Sequence, residues 1–144
     1  MDFPPFDYKV RIYNGQRQIF DVLRHKYVNI TPEEWVRQHV VHYMLDVLAI
    51  PASLVAVERA ISINGLTRRF DIICFDRKGE VYMLVECKNE KIVLDQKVFD
   101  QAFCYNCTLK ARYVVITNGN RTLSGCPGDG KFSVTEGFPD CQDL

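Results

Sequence analysis

The sequence predicts an α/β fold with elements in the order α-β-β-β-α-β: a mixed sheet with an antiparallel three-strand meander, flanked by helices. Three observations carry that expectation. A capped stretch with helical apolar spacing begins at Thr31. Three β-branched and aromatic runs lie between residues 54 and 88, separated by turn chemistry. A second helical pattern from about Asp95 to Leu109 is followed by the short apolar run ARYVVIT.

The chain of 144 residues reads as a single domain, with an N-terminal arm at 1–30, a core at 31–119 and an irregular C-terminal tail at 120–144. A composition of 47% hydrophobic and 25% charged residues is that of an ordinary globular protein. Eighteen acidic residues balance eighteen basic ones, which excludes a generic polyanion binder and leaves nucleic-acid contact to a local basic patch. No apolar run approaches the roughly 20 residues needed to span a membrane, and the N-terminus lacks a basic-then-apolar signal, so the cytoplasm is the expected location.

In the arm, two prolines and Asn14-Gly15 predict irregular chain with one short strand or hairpin. Arg24, His25 and Lys26 read as a solvated basic cluster. Thr31-Pro32-Glu33-Glu34 then starts a helix, with Thr31 at the cap, Pro32 at the first helical position and Glu34 completing a capping box. Val36, Val40, Val41, Met44, Leu45 and Leu48 recur at helical spacing until about Ala49, before Pro51. Both Glu33 and Glu34 fall on or beside this apolar stripe.

Leu54 to Ile63 is the first strand of the meander, turned by Asn64-Gly65. Phe70 to Phe75 and Val81 to Val85 are the next two, joined by Asp76-Arg77-Lys78-Gly79. The helix after Lys88 carries Gln101 and Tyr105 four residues apart, on one face. A helical return to the run Arg112–Thr117 makes that strand a parallel neighbour. The tail, rich in Gly, Pro, Asp and Ser, holds one candidate strand at Lys131 to Thr135. Cys74 and Cys87 read as small buried apolar residues. Cys104 and Cys107 form a CxxC with no second ligand pair at zinc spacing.

The second and third meander strands carry the chemistry. If Arg77 to Glu80 form a four-residue loop, Asp76 pairs with Val81 and Asp71 stands opposite Glu86. Lys88 then projects on the Glu86 face. Two carboxylates opposed at roughly 5 Å repel unless a proton or cation lies between them. A divalent ion resolves that conflict, and Mg²⁺ takes one or two protein carboxylates with water and phosphate oxygens.

Asp71 followed by Glu86-Cys87-Lys88 in a hydrophobic strand resembles the signature of the PD-(D/E)xK nuclease superfamily, with Phe70 in place of the proline. TPEEWVRQ, RRFDIICFD, LVECKN, Gln101-x-x-x-Tyr105 and TNG, in that order, resemble the N-terminal nuclease domain of type I restriction enzyme R subunits from about Thr31 to Gly119. The resemblance implies a restriction-endonuclease-like core and metal-dependent hydrolysis of a DNA phosphodiester in restriction, repair or mobile-element processing. Asp71 and Glu86 would hold Mg²⁺, with Mn²⁺ as a substitute, and the carbonyl of Cys87 would add a ligand. Lys88 would orient water or stabilise developing charge. Glu34 is the candidate acid from the first helix, with Glu33 as its rival. Gln101 and Tyr105 would line the DNA groove, and Lys91 and Arg69, with Arg68 and Lys97, would meet phosphates. The other reading is a catalytically silent nucleic-acid-binding or partner-binding module on the same fold. Oligomeric state stays open between a homodimer and partnership with separate motor or specificity subunits.

Overall fold

Both faces of the central strands are apolar, and the structure covers both. The computed structural model describes residues 1–63, 65–103, 111–127 and 132–144. Its strands are β1 (Val10–Tyr13), β2 (Gln16–Asp21), β3 (Lys26–Asn29), β4 (Val55–Ile63), β5 (Leu66–Phe75), β6 (Val81–Cys87), β7 (Tyr113–Thr117), β8 (Thr122–Pro127) and β9 (Phe132–Glu136). The helices are α1 (Pro32–His42) and α2 (Gln96–Ala102). β1-β2-β3 form a small sheet, and β4-β5-β6-β7-β8-β9 form a six-stranded one in sequence order. The β4–β6 meander is antiparallel and β6 pairs with β7 in parallel, as the helical crossover required.

α1 lays Val36, Val40 and Val41, and the turn after it Met44, on a sheet face made by Ile72, Cys74, Met83, Val85 and Val115. α2 covers the opposite face, where Phe99 and Phe103 meet Phe70, Ile73, Leu84, Val114 and Ile116. Ile72, Ile73, Leu84 and Val85 are fully buried, each contributing roughly 1.5–3 kcal/mol of burial. This double cover holds β5 and β6 rigidly enough to position polar groups at their ends.

Several expectations change. The regular part of α1 ends at His42, and the chain widens into a π-helical turn at Tyr43–Val47. There the Leu48 N–H reaches the Tyr43 carbonyl at 3.0 Å, and Met44 is kept in the core. The link between β5 and β6 also differs: Phe75, not Asp76, pairs with Val81, and Tyr82 is an extra residue before Cys74 pairs with Met83. Asp76 instead closes the turn, its Oδ1 accepting the N–H groups of Lys78 and Glu80 at 2.8 and 3.0 Å. The bulge at Tyr82 restores the expected register, so Ile72 faces Val85.

The arm is a three-stranded antiparallel sheet, turned by Asn14 and Gly15, both at positive φ, and not irregular chain. The tail is not irregular either, because β8 and β9 extend the main sheet. Residues 64, 104–110 and 128–131 lie outside the described residues, and with them the part of the second predicted helix from 104 to 109, the CxxC of Cys104 and Cys107, and Lys131 of the candidate tail strand. Among the described residues no helix is long and apolar enough to cross a membrane.

Candidate active site

Extending the β5–β6 register by one step from Ile72 and Val85 sets Asp71 across from Glu86. Strict alternation breaks at that point. Phe70 and Ile73 pack on the α2 side while Ile72 and Cys74 pack on the α1 side, so Asp71 sits where the strand changes face. Its Oδ2 accepts the main-chain N–H of Cys87 at 2.7 Å, and its Oδ1 accepts Nη2 of Arg37 at 2.8 Å. On the other side, the pairs Val57–Ile72 and Arg59–Phe70 bracket Glu58 and Asp71. Glu58 has φ +51°, a left-handed conformation that costs a non-glycine residue about 1 kcal/mol.

Arg37 explains how that strain is held. Its Nη1 lies 2.9 Å from Oε1 of Glu34 and 3.1 Å from Oε1 of Glu58, while its Nη2 serves Asp71. Arg24 adds a second bridge, with Nη2 at 2.8 Å from Glu34 and Nη1 at 3.1 Å from Glu58. Arg24 is itself held by Asp21, whose Oδ1 also accepts the N–H groups of Leu23 and Arg24. Gln38 Nε2 ties Asp21 and Glu34 together at 2.8 and 3.2 Å. Burial would raise the Asp21 carboxyl, but the Arg24 N–H, the Gln38 amide and the Arg24 guanidinium outweigh burial and hold it below the usual range. The small sheet is thereby clamped to α1 and to β4 by fixed charges.

Glu86 has the opposite balance. Burial and the neighbouring charge of Asp71 push its carboxyl up to about 7, against the pull of Arg68, of the Asp71 main-chain N–H and of Lys88. Lys88 is half-buried, and its main-chain N–H donates to Thr117 of β7 at 2.8 Å, which anchors the end of β6. The Cys87 thiol faces the core and burial drives its pKa far up, so this residue can offer a metal only its carbonyl.

The structure therefore gathers Asp71, Glu86, Cys87 and Lys88, and brings Glu34 to Asp71 through Arg37. Glu33, expected to lean on the apolar stripe, is exposed; Glu34 alone turns inward, because its oxygens meet buried cations. Gln101, Lys91 and Arg69 are exposed, and no hydrogen bond or ion pair links them to the acids among the described residues. Tyr105 lies outside the described residues. Arg68, half-buried, is the basic residue of this strand whose charge reaches Glu86, and it also donates to the Ala102 carbonyl of α2.

Sequence reasoning missed Arg37, Gln38, Glu58 and the role of Arg24. Arg37 and Gln38 lie three and four residues after Glu34, a helical spacing that could have marked them. Arg24 carried no such signal toward the acid cluster, since Glu34 and Glu58 are 10 and 34 residues away.

Comparison with known proteins agrees with this architecture. No curated protein sequence matches the chain. The fold is similar to that in a crystal structure from Anabaena variabilis ATCC 29413, a candidate nuclease belonging to DUF820, with TM-score 0.51 and 10% identity over 93% of this chain and 80% of that one. At that identity the likeness speaks for the fold, a restriction-endonuclease-like mixed α/β core. Residues 32–134 match the family described as type I restriction enzyme R protein N terminus (HSDR_N), and with most of its length matched the chain belongs to that family.

Proposed function

We propose that this chain is a Mg²⁺-dependent endonuclease that hydrolyses DNA phosphodiester bonds in the cytoplasm, as part of restriction, repair or mobile-element processing. The observation that carries the reading is the Asp71–Glu86 pair on adjacent strands, in which Arg37 bonds Asp71 while Glu86 has no ion-pair partner among the described residues, with Lys88 following. The donor set suits a hard cation: two carboxylates and the Cys87 carbonyl are all oxygen. Among the described residues no three His, Cys, Asp or Glu side chains are grouped to hold a metal. Two carboxylates suffice for Mg²⁺, which takes one or two from the protein and completes its shell with water and phosphate. Asp71 already accepts one bond on each oxygen, and a carboxylate oxygen retains a further lone pair for a cation.

Bound there, Mg²⁺ would polarise the scissile phosphate and make a water nucleophilic near neutral pH. The protein's own part is positional and electrostatic. Arg37 and the Cys87 N–H fix the Asp71 carboxylate, while the β6–β7 ladder fixes Glu86 and Lys88. Lys88 supplies positive charge where charge develops on the phosphate, without reorganisation at the moment of reaction. Glu34 acts in this reading through Arg37 and not as a direct ligand, since Arg24, Arg37 and Gln38 already engage its oxygens. Gln101, Lys91 and Arg69, with Tyr105, remain candidate DNA contacts. A homodimer, or motor and specificity subunits, would present the DNA.

One observation favours the second reading, a silent binding module: the guanidinium of Arg37 lies against Asp71, where a protein cation reduces the need for a metal ion. Plasmid nicking with Mg²⁺ or Mn²⁺ separates the two. The wild type is expected to nick, and Asp71→Ala and Lys88→Ala to lose cutting by at least about a hundredfold, the scale of removing one preorganised stabilising group. Equal cutting by all three removes the site assignment. No cutting by any, with salt-sensitive DNA binding intact, favours the module.

A further inference from the structure

We propose that the outer face of the β1–β3 sheet is a binding surface for single-stranded nucleic acid, on which bases stack on Tyr13, Phe20 and Tyr27 while Lys9 and Arg11 meet the phosphates.

The face follows from register. Ile19 and Asp21 of β2 are fully buried, so those positions point inward and Gln16, Gln18 and Phe20 point outward. Opposed residues share a face. Tyr13 stands across from Gln16, Arg11 from Gln18, Asn29 from Gln18, and Tyr27 from Phe20. Lys9 continues the ladder, its carbonyl accepting the Phe20 N–H at 2.9 Å. No Asp or Glu occupies an outward strand position on this sheet. In a chain whose acids and bases are equal in number, that segregation is a local property.

The groups are also preorganised. The Arg11 guanidinium lies 4.1 Å from the Tyr27 ring centroid and 4.9 Å from that of Tyr13. Its Nε donates to Gln18 Oε1 at 2.8 Å, and Gln18 Nε2 donates to Asn29 Oδ1 at 2.9 Å. Phe20 packs edge-on to Tyr27 at 5.4 Å. Tyr13 is 54% exposed, a large ring left in water on a short strand. Rings interleaved with cations on a sheet suit unstacked bases, because every base has a π-face and the backbone needs only positive charge. A duplex suits it less well, since the major groove admits a helix or a two-stranded ribbon, whereas this surface is a three-stranded plane.

Position gives the surface a use. Phe20 and Tyr27 stand next to the last pair before the β2–β3 turn, which holds Arg24, and Arg24 bonds Glu34 and Glu58 of the acid cluster. This aspect rests on the nuclease reading, whose substrate it makes a single strand or a frayed end; the binding face itself does not depend on catalysis.

The test is fluorescence anisotropy of the full chain in EDTA with labelled oligo(dT), oligo(rU) and a dA·dT duplex. Binding of a single strand that weakens with rising salt is expected. Arg11→Glu and Tyr13→Ala should each weaken it at least about fivefold with unchanged thermal unfolding, while Tyr13→Phe retains it. The ratio of oligo(dT) to oligo(rU) affinity tells DNA from RNA as the source of the strand. Failure to bind either strand, equal affinity in Arg11→Glu and Tyr13→Ala, or tighter binding of the duplex overturns the proposal. Because no metal is present and the acids are untouched, such a failure leaves the nicking result standing, and a failure to nick leaves this one standing.

Discussion

Arg37 spans three carboxylates, from α1 (Glu34), β4 (Glu58) and β5 (Asp71), and is nearly buried while doing so. A planar fork of donors suits this task and a lysine does not. Glu86, by contrast, lacks such a partner, and its behaviour with pH follows. With its folded-state carboxyl raised to about 7 against an ordinary 4.5, the folded chain holds a proton there that the unfolded chain releases. The associated stability is present below pH 4.5 and is lost as pH rises through 7. In EDTA at pH 8, Glu86→Gln should therefore melt above the wild type, and the two should converge near pH 5. Adding Mg²⁺ at pH 8 should raise the melting temperature of the wild type and not that of Glu86→Gln. The pairing of the acids was legible in the sequence from two-residue periodicity, although the turn differs, because the bulge at Tyr82 returns β5 and β6 to the expected register. The cations that hold them were not, because Arg24 meets Glu34 and Glu58 only in the folded chain and Arg37 is signalled only by its helical spacing from Glu34.

At the level of elements, the N-terminus of α1 sets the direction in which Glu34 enters the cluster. Thr31 Oγ1 accepts the Glu34 N–H at 3.0 Å, so cap and acid share a residue. Thr31→Ala should cost about 1 kcal/mol in urea unfolding, within the usual range for a lost cap. The cap, the meander and the parallel strand β7 were all readable, each having a local signature. The small sheet was not, although Asn14-Gly15 announced its first turn. Its strands β1 and β3 have four residues each, and Ile12 and Tyr13 are exposed, so apolar positions there do not mark a core. β8 was hidden by Gly125 and Pro127, tolerated because pairing with β7 and β9 supplies what propensity withholds.

Across the whole molecule, the two sheets are joined by the Asp21–Arg24–Glu58 contacts, with Glu34 of α1 on the same guanidinium. Arg24→Ala should loosen β1–β3 against α1, and hydrogen exchange should quicken in β1–β3 while β5–β7 stay protected. The ladder from Arg24 to Glu58, and from Arg37 to Asp71, closes loops of 34 residues in each case. A contact of that span gives its gain only after the chain entropy of closing the loop has been given up. The acid pair therefore takes its final charge and geometry when the N-terminal sheet, α1 and the meander have all come together. A chain folded only in part would carry Asp71, Glu86 and Lys88 without the Arg37 bridge that fixes Asp71, so the arrangement of these residues belongs to the completed fold and to no single element.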